Sequence, residues 1–445
     1  MTDERSLTWT RLLPADAGYS LIGAPPAFRD LLTLANVRHG EDVLCVWAPR
    51  MADLSRISID RFRALALVNP CRVPVMALTK SGFRHVRRYA VLPSLADARW
   101  FVPRDNVLVS EAALHMYAPY RLRARLLKLG AELAIRMRLP LWHADELIIA
   151  AREPLPLERT LAKPFREVEI RLAFSSGTPG PARKPVFQIL RPNGHILGYA
   201  KLGITAATAC LIRREAGLLR SLSANSRVQG FAPALLFEGD VHGMPVTVQT
   251  AVSGNAGPVQ PTSMHRRLLA ALRREERRPV AASHMFRNME RRVLRLANPV
   301  PAMSGALKGV RPVAETLTLP VSIVHGDFAP WNLRMQGGEL RAFDWEYGEI
   351  DGIPLVDELH HDFQVGFLLR GWDPEQALTY LRSVQVSNRM GLQAEQVAAL
   401  QVVYLLDVCS RRLEAGHSPD DEWNRRYLRL IPALSRFLLA DGARS

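Results

Sequence analysis

Apolar residues alternate with polar or small ones from Val168 onward: Val168, Ile170, Leu172 and Phe174 are separated by Glu169, Arg171 and Ala173. A period of two predicts a half-buried strand. A second apolar run covers residues 186–190, a third covers 196–202, and Pro192-Asn193-Gly194 between them is a hairpin signal. The first two runs are separated by a small-residue loop, Ser175-Ser176-Gly177-Thr178-Pro179-Gly180. The pattern predicts three antiparallel strands joined by a flexible loop and a tight turn. Over residues 205–222 the period becomes helical, with Leu211, Leu218, Leu219 and Leu222 on one face and Glu215 among them. Strand-like runs follow at 234–238 and 245–252. Residues 262–297 read as an arginine-rich helix broken near Pro279, 321–324 as a short buried strand, and 391–440 as helices.

The first 150 residues carry a weaker pattern. Residues 43–47 and 73–78 look like strands. Over residues 121–139 a basic amphipathic helix is expected, with Leu122, Leu126, Leu129, Leu133 and Met137 in one stripe. Packing against the domain core is the expected use of that stripe, with peripheral association at an anionic membrane as the alternative. Two prolines in Arg152-Glu153-Pro154-Leu155-Pro156 mark a first boundary. The expected organisation is an N-terminal α/β extension (1–152), a small strand-rich lobe (160–255) and a mainly helical lobe (256–445).

Composition narrows the class only a little. A hydrophobic fraction of 48% and a charged fraction of 23% are those of a globular chain. The four cysteines, Cys45, Cys71, Cys210 and Cys409, form no paired spacing, which suits a reducing compartment. The N-terminal segment does not read as a secretory signal, and no apolar run reaches the length of a bilayer span. A cytoplasmic protein is expected. Net charge is +15, yet residues 321–445 hold 12 Lys/Arg against 18 Asp/Glu. The basic stretches are arginines on helical patterns with few interleaved aromatics, which argues against a nucleic-acid surface. The oligomeric state is not legible.

The acidic block carries the chemistry. It contains His325-Gly326-Asp327-Phe328-Ala329-Pro330-Trp331-Asn332, then Phe343-Asp344-Trp345-Glu346 beyond a turn at Gly337-Gly338. Phosphoryl transfer requires a carboxylate beside the accepting hydroxyl, oxygen ligands that hold Mg²⁺ against the phosphates, and a rigid loop to align them. Asp327 and Asn332, five apart on one loop, can face one phosphate cluster, and a short hairpin returns Asp344 to the same place.

His-Gly-Asp-x-x-x-x-Asn followed by Phe-Asp-Trp-Glu resembles the signature of the aminoglycoside phosphotransferase and choline-kinase-like families, relatives of the protein kinases. The resemblance covers about residues 165–440. It implies an α+β, protein-kinase-like two-lobed fold behind the N-terminal α/β extension, and an ATP- and Mg²⁺-dependent transfer to a small-molecule hydroxyl of aminoglycoside, choline or sugar type. It further implies that Asp327 is the catalytic base, that His325 braces the loop, and that Asn332 and Asp344 bind Mg²⁺. Lys201 would contact the nucleotide phosphates and pair with Glu215. Ser176, Gly177 and Thr178 would cover the phosphates, and Gln249 to Val252 would hold adenine; ATP against GTP stays open. Asp357 matches a residue that supports the catalytic loop. His360, His361 and Asp362 invite a metal reading, but adjacent helical histidines point apart, and solvated or core roles are expected. Separately, Gly82-Phe83-Arg84-His85-Val86-Arg87-Arg88-Tyr89 resembles the last strands of class I methyltransferases. Only Gly18, Gly23 and Gly40 precede residue 80, so no glycine-rich loop for a methyl donor is present and no methyl transfer is expected. A nucleotide-binding scaffold or pseudokinase of a surface-polysaccharide system is the alternative reading of the whole chain.

Overall fold

The computed structural model describes residues 4–14, 16–34, 38–139, 144–177, 180–383 and 390–441. It divides into two compact units: residues 1–179, 183–212 and 235–251 form the first, and 180–182, 213–234 and 252–445 form the second. No helix among the described residues is long and apolar enough to cross a membrane.

The first unit is built on a single 11-stranded sheet. Its strands are β1 (Tyr19–Ile22), β2 (Val43–Trp47), β3 (Ala64–Val68), β4 (His85–Leu92), β5 (Trp100–Pro103), β6 (Asp145–Ala151), β7 (Arg171–Ser175), β8 (Val186–Leu190), β9 (Ile196–Leu202), β10 (Leu235–Val241) and β11 (Met244–Thr250). Their order is β1-β2-β3-β6-β4-β5-β7-β8-β9-β11-β10. The first three run parallel, and β6 lies antiparallel to both β3 and β4. Strands β2 and β3 are continuous apolar runs because helices and loops cover both of their faces. From β4 onward every neighbouring pair is antiparallel.

The extension and the three expected hairpin strands therefore share one sheet, joined where β5 pairs with β7. Phe101 on β5 lies opposite Phe174 on β7, which lies opposite Phe187 on β8. The three rings stack with centroid separations of 4.3 and 5.0 Å, and all are buried. Aromatic pairs of this kind contribute about 0.5–1.5 kcal/mol each beyond the area they bury. The proline-rich stretch near residue 154 is folded into the same unit. Leu155 and Leu157 are buried, and Glu158 meets Arg87 of β4 in a bidentate pair at 2.8 Å for both contacts.

The second unit surrounds the buried helix Ala394–Glu414, which is apolar on nearly all sides because the helices His284–Arg295, Pro301–Thr316, Val356–Gln364 and Leu430–Asp441 pack around it. Two small sheets complete the unit. One joins β12 (Asn255–Ala256), β15 (Leu333–Gln336) and β16 (Glu339–Ala342); the other joins β13 (Arg273–Pro279), β14 (Thr318–Val324) and β17 (Glu349–Gly352).

Three expectations are corrected. Residues 73–78 are not a strand: Pro74 precedes the helix Val75–Lys80, since its fixed φ suits a helix start. The expected helix over 262–297 is instead the helix Ser263–Leu272, the strand β13 and the helix His284–Arg295. Pairing with β14 overrides the helical preference of the Arg/Glu run. Third, the leucine stripe near residue 130 does not pack on a core. The helix Leu122–Arg136 is there, but it rests on Ala131 and Ile135, and the stripe is exposed.

Candidate active site

The segment His325–Asn332 leaves β14 as a loop whose conformation is fixed from several directions. Gly326 has φ +78°, and a Cβ there would stand 2.4 Å from the Tyr347 carbonyl oxygen, so only glycine fits. Asp357, buried at the start of the helix Val356–Gln364, accepts the His325 N–H at 2.7 Å and the Gly326 N–H at 2.9 Å. Burial pushes its carboxyl above the ordinary carboxylate range, while His325 and the two N–H groups oppose that shift. From the central helix, the Arg411 guanidinium donates to the Gly326 carbonyl at 3.0 Å. Asp407 holds that guanidinium at 3.1 Å.

His325 links this loop to the second motif. Its Nε2 is 2.9 Å from the Phe343 carbonyl, and its Nδ1 accepts the Asp327 N–H at 3.2 Å. A carbonyl can only accept, so these partners assign the Nε2–H tautomer. The Phe343 N–H donates to the Asn332 carbonyl at 3.0 Å, fixing the approach of Asp344. Asp344 itself has φ +68°, a left-handed conformation that Asp adopts more readily than most residues. The next residue, Trp345, donates its N–H to Oε1 of Glu215 at 3.1 Å, with both groups buried.

Asp327 is held at both carboxylate oxygens. Asn332 Nδ2 donates to Oδ2 at 2.8 Å and to the Asp327 carbonyl at 2.9 Å. His360 Nε2 lies 2.8 Å from Oδ1, and the Tyr404 hydroxyl is 3.2 Å from His360 Nδ1. His360 is buried, whereas the Asp327 side chain keeps 30% exposure and can meet a ligand. His361 turns the other way. Its ring meets His265 at 4.9 Å and Phe328 at 6.2 Å. Burial and the neighbouring His361 lower the pKa of His265 to about 4. Asp362 binds the Tyr380 hydroxyl. Among the described residues no group of histidine, cysteine and carboxylate side chains forms a metal cage.

Of the remaining expected site residues, Lys201, Ser176, Gly177 and Gln249 are in the first unit, and Glu215 and Val252 in the second. Lys201 on β9 lies opposite Thr247 of β11, on the sheet face away from Ala200, Leu202, Val246 and Val248. Lys201, Thr247 and Gln249 are all buried there. Thr247 Oγ1, Gln249 Oε1 and Gln188 Oε1 on that face find no hydrogen-bond partner among the described residues. Ser176 is fully buried and donates its hydroxyl to the Ala98 carbonyl at 2.6 Å, so its side chain serves the sheet. Gly177 has φ +85°, and its N–H reaches the Ser175 hydroxyl at 3.2 Å. Thr178 lies outside the described residues. Val252 follows β11 in the second unit.

His360, Tyr404 and Arg411 also belong to this site, although the sequence pattern does not assign them to it. A signal for His360 was present. It follows Asp357 by three residues on a helix, which places both on one face, and Asp357 matches a residue that supports the catalytic loop.

No protein-family model matches the chain, and no curated protein sequence matches it. Solved structures do. A thermostable mutant of aminoglycoside phosphotransferase APH(4)-Ia, in a ternary complex with ADP and hygromycin B, is 14% identical with a TM-score of 0.43, covering 63% of this chain and 98% of that chain. A Thermobifida fusca protein that carries the name fructosamine-3-kinase is 15% identical, with a TM-score of 0.42 and coverage of 64% and 98%. A choline/ethanolamine kinase family protein from Mesorhizobium loti is 17% identical, with a TM-score of 0.37 and coverage of 64% and 94%. On its own residues, the His-Gly-Asp loop braced against the Phe-Asp-Trp-Glu segment, the chain resembles the aminoglycoside phosphotransferase and choline-kinase-like proteins.

Proposed function

We propose that this chain is an ATP- and Mg²⁺-dependent phosphotransferase that moves the γ-phosphate to a hydroxyl of a small molecule, of aminoglycoside, choline or sugar type, in the cytoplasm. The observation that carries the reading is the doubly held Asp327 carboxylate, partly exposed, on a loop tied by backbone and side chain to the segment bearing Asp344.

The donor set fits a hard divalent cation. Nδ2 of Asn332 donates to Asp327, so its Oδ1 would be the amide atom offered to the cation, and the Asp344 carboxylate would supply a second hard oxygen. Mg²⁺ bound there would neutralise phosphate charge. The buried polar face of Lys201, Thr247 and Gln249 suits a nucleotide, since its orphaned oxygens call for donors that the described residues do not supply. Asp327 then orients the acceptor hydroxyl and takes its proton. Its two fixed oxygens hold the carboxylate in one rotamer, which is the positional requirement for such transfer. His360 is a positioning residue, acting through Asp327.

Calorimetric titration with a non-hydrolysable ATP analogue, with and without Mg²⁺, tests the reading. Mg²⁺-dependent binding that disappears in Asp344→Ala is expected, together with loss of ATP turnover in Asp327→Asn. Binding that survives Asp344→Ala, or turnover that survives Asp327→Asn, overturns it. Tight binding without turnover in the unaltered chain would favour the scaffold alternative.

A further inference from the structure

The helix Leu122–Arg136 exposes an apolar stripe that none of the described residues covers. Leu122, Leu126, Leu129, Leu133 and Met137 are 57–71% exposed. They recur at helical spacing along more than three turns. The side that packs is the opposite one: Ala131 and Ile135 meet Val109 and Ala113 of the helix Val107–Ala113. At 3.6 residues per turn the two faces are separated by roughly 180°. The leucines therefore point straight out from the unit.

The rim of that stripe is cationic. Arg121, Arg123, Arg125, Arg136 and Arg138 are exposed around it. The only acid within the helix, Glu132, lies 3.8 Å from Lys128, and the nearby Glu111 is bound by Arg136. A soluble monomer seldom leaves a row of leucines in water, and their arrangement selects the occupant. A second copy of the same helix would set one arginine rim against another. An anionic bilayer meets both features at once: acyl chains for the leucines, and headgroup charge for the arginines.

We propose that the helix Leu122–Arg136 is a membrane-surface docking element, lying in the interface of a bilayer rich in anionic phospholipid with its leucine stripe inserted and its arginines among the headgroups.

Flotation of the full-length protein with phosphatidylcholine vesicles, with or without phosphatidylglycerol, tests this. Binding to the mixed vesicles alone, weakened by raised salt, is expected. The double variant Leu126→Glu with Leu133→Glu removes two inserted side chains and should lower vesicle affinity on the order of a hundredfold. Both residues are exposed, so its thermal unfolding should match the parent. Arg123→Gln with Arg125→Gln should abolish the preference for anionic lipid. No flotation with either vesicle, flotation unchanged by the leucine variant, or a dimer in sedimentation that the leucine variant dissolves would each overturn the proposal.

Discussion

The imidazole of His360 meets the carboxylate of Asp327 at 2.8 Å, across 33 residues of sequence, with the Tyr404 hydroxyl behind it at 3.2 Å. Asp327 thus has a neighbour on each oxygen, one from its own loop and one from the helix that also carries Asp357. If His360 only positions Asp327, His360→Ala should lower ATP turnover roughly 10–100-fold, a part of what a positioned general base supplies. The KM for ATP should hardly move. His360→Gln, which keeps a donor at similar reach, should restore much of the loss. Steady-state kinetics on the three proteins decides it: an unchanged kcat in His360→Ala removes His360 from the mechanism.

Gly326→Ala should be costly. The new Cβ meets a carbonyl oxygen at 2.4 Å in a left-handed conformation, so the loop must shift. A loss of about 1–3 kcal/mol is expected from the strain alone. Thermal unfolding, at about 2–4 °C per kcal/mol for units of this size, reads it directly.

His265 gives stability a pH dependence. Its pKa falls from 6.5 to about 4 on folding, so below pH 6.5 the unfolded chain takes a proton that the folded one refuses. Stability from this group is complete above pH 6.5 and is lost as pH falls towards 4, by about 3 kcal/mol in all. In His265→Gln that slope should disappear from denaturant titrations across the same window. Gln can still accept the Thr262 N–H that His265 Nδ1 accepts at 3.0 Å.

Removing residues 1–152 should not yield a soluble fragment. The cut would strip β5 from β7 and bare Phe174 along an unpaired edge. Aggregation on expression is expected; a monodisperse, cooperatively melting fragment would contradict the shared sheet.

Much of the site was legible because its chemistry is local. His325, Asp327 and Asn332 lie within one loop, and Gly337-Gly338 marks the hairpin that returns Asp344. Strands β7, β8 and β9 were readable from alternation and from a Pro-Asn-Gly turn. What escaped was tertiary. Strand β13 exists because β14 offers it a partner, and its Arg/Glu run has no strand signal of its own. Amphipathicity located the helix Leu122–Arg136 but not which face the fold would cover. The partners of Glu215 and His360 lie 130 and 33 residues away, beyond any periodicity.

The stacked Phe101, Phe174 and Phe187 have a consequence for how such a gene can change. Each ring is a neighbour's packing surface, so a smaller residue at one position leaves a gap that the other two must fill. Substitutions on the two sides of the join should therefore be inherited in compensating sets. Recombination that exchanged the extension for another, keeping β7 onward, would succeed only with a donor whose last strand offers a ring at the same register. The join behaves as a lock to which the strands on either side each hold part of the key.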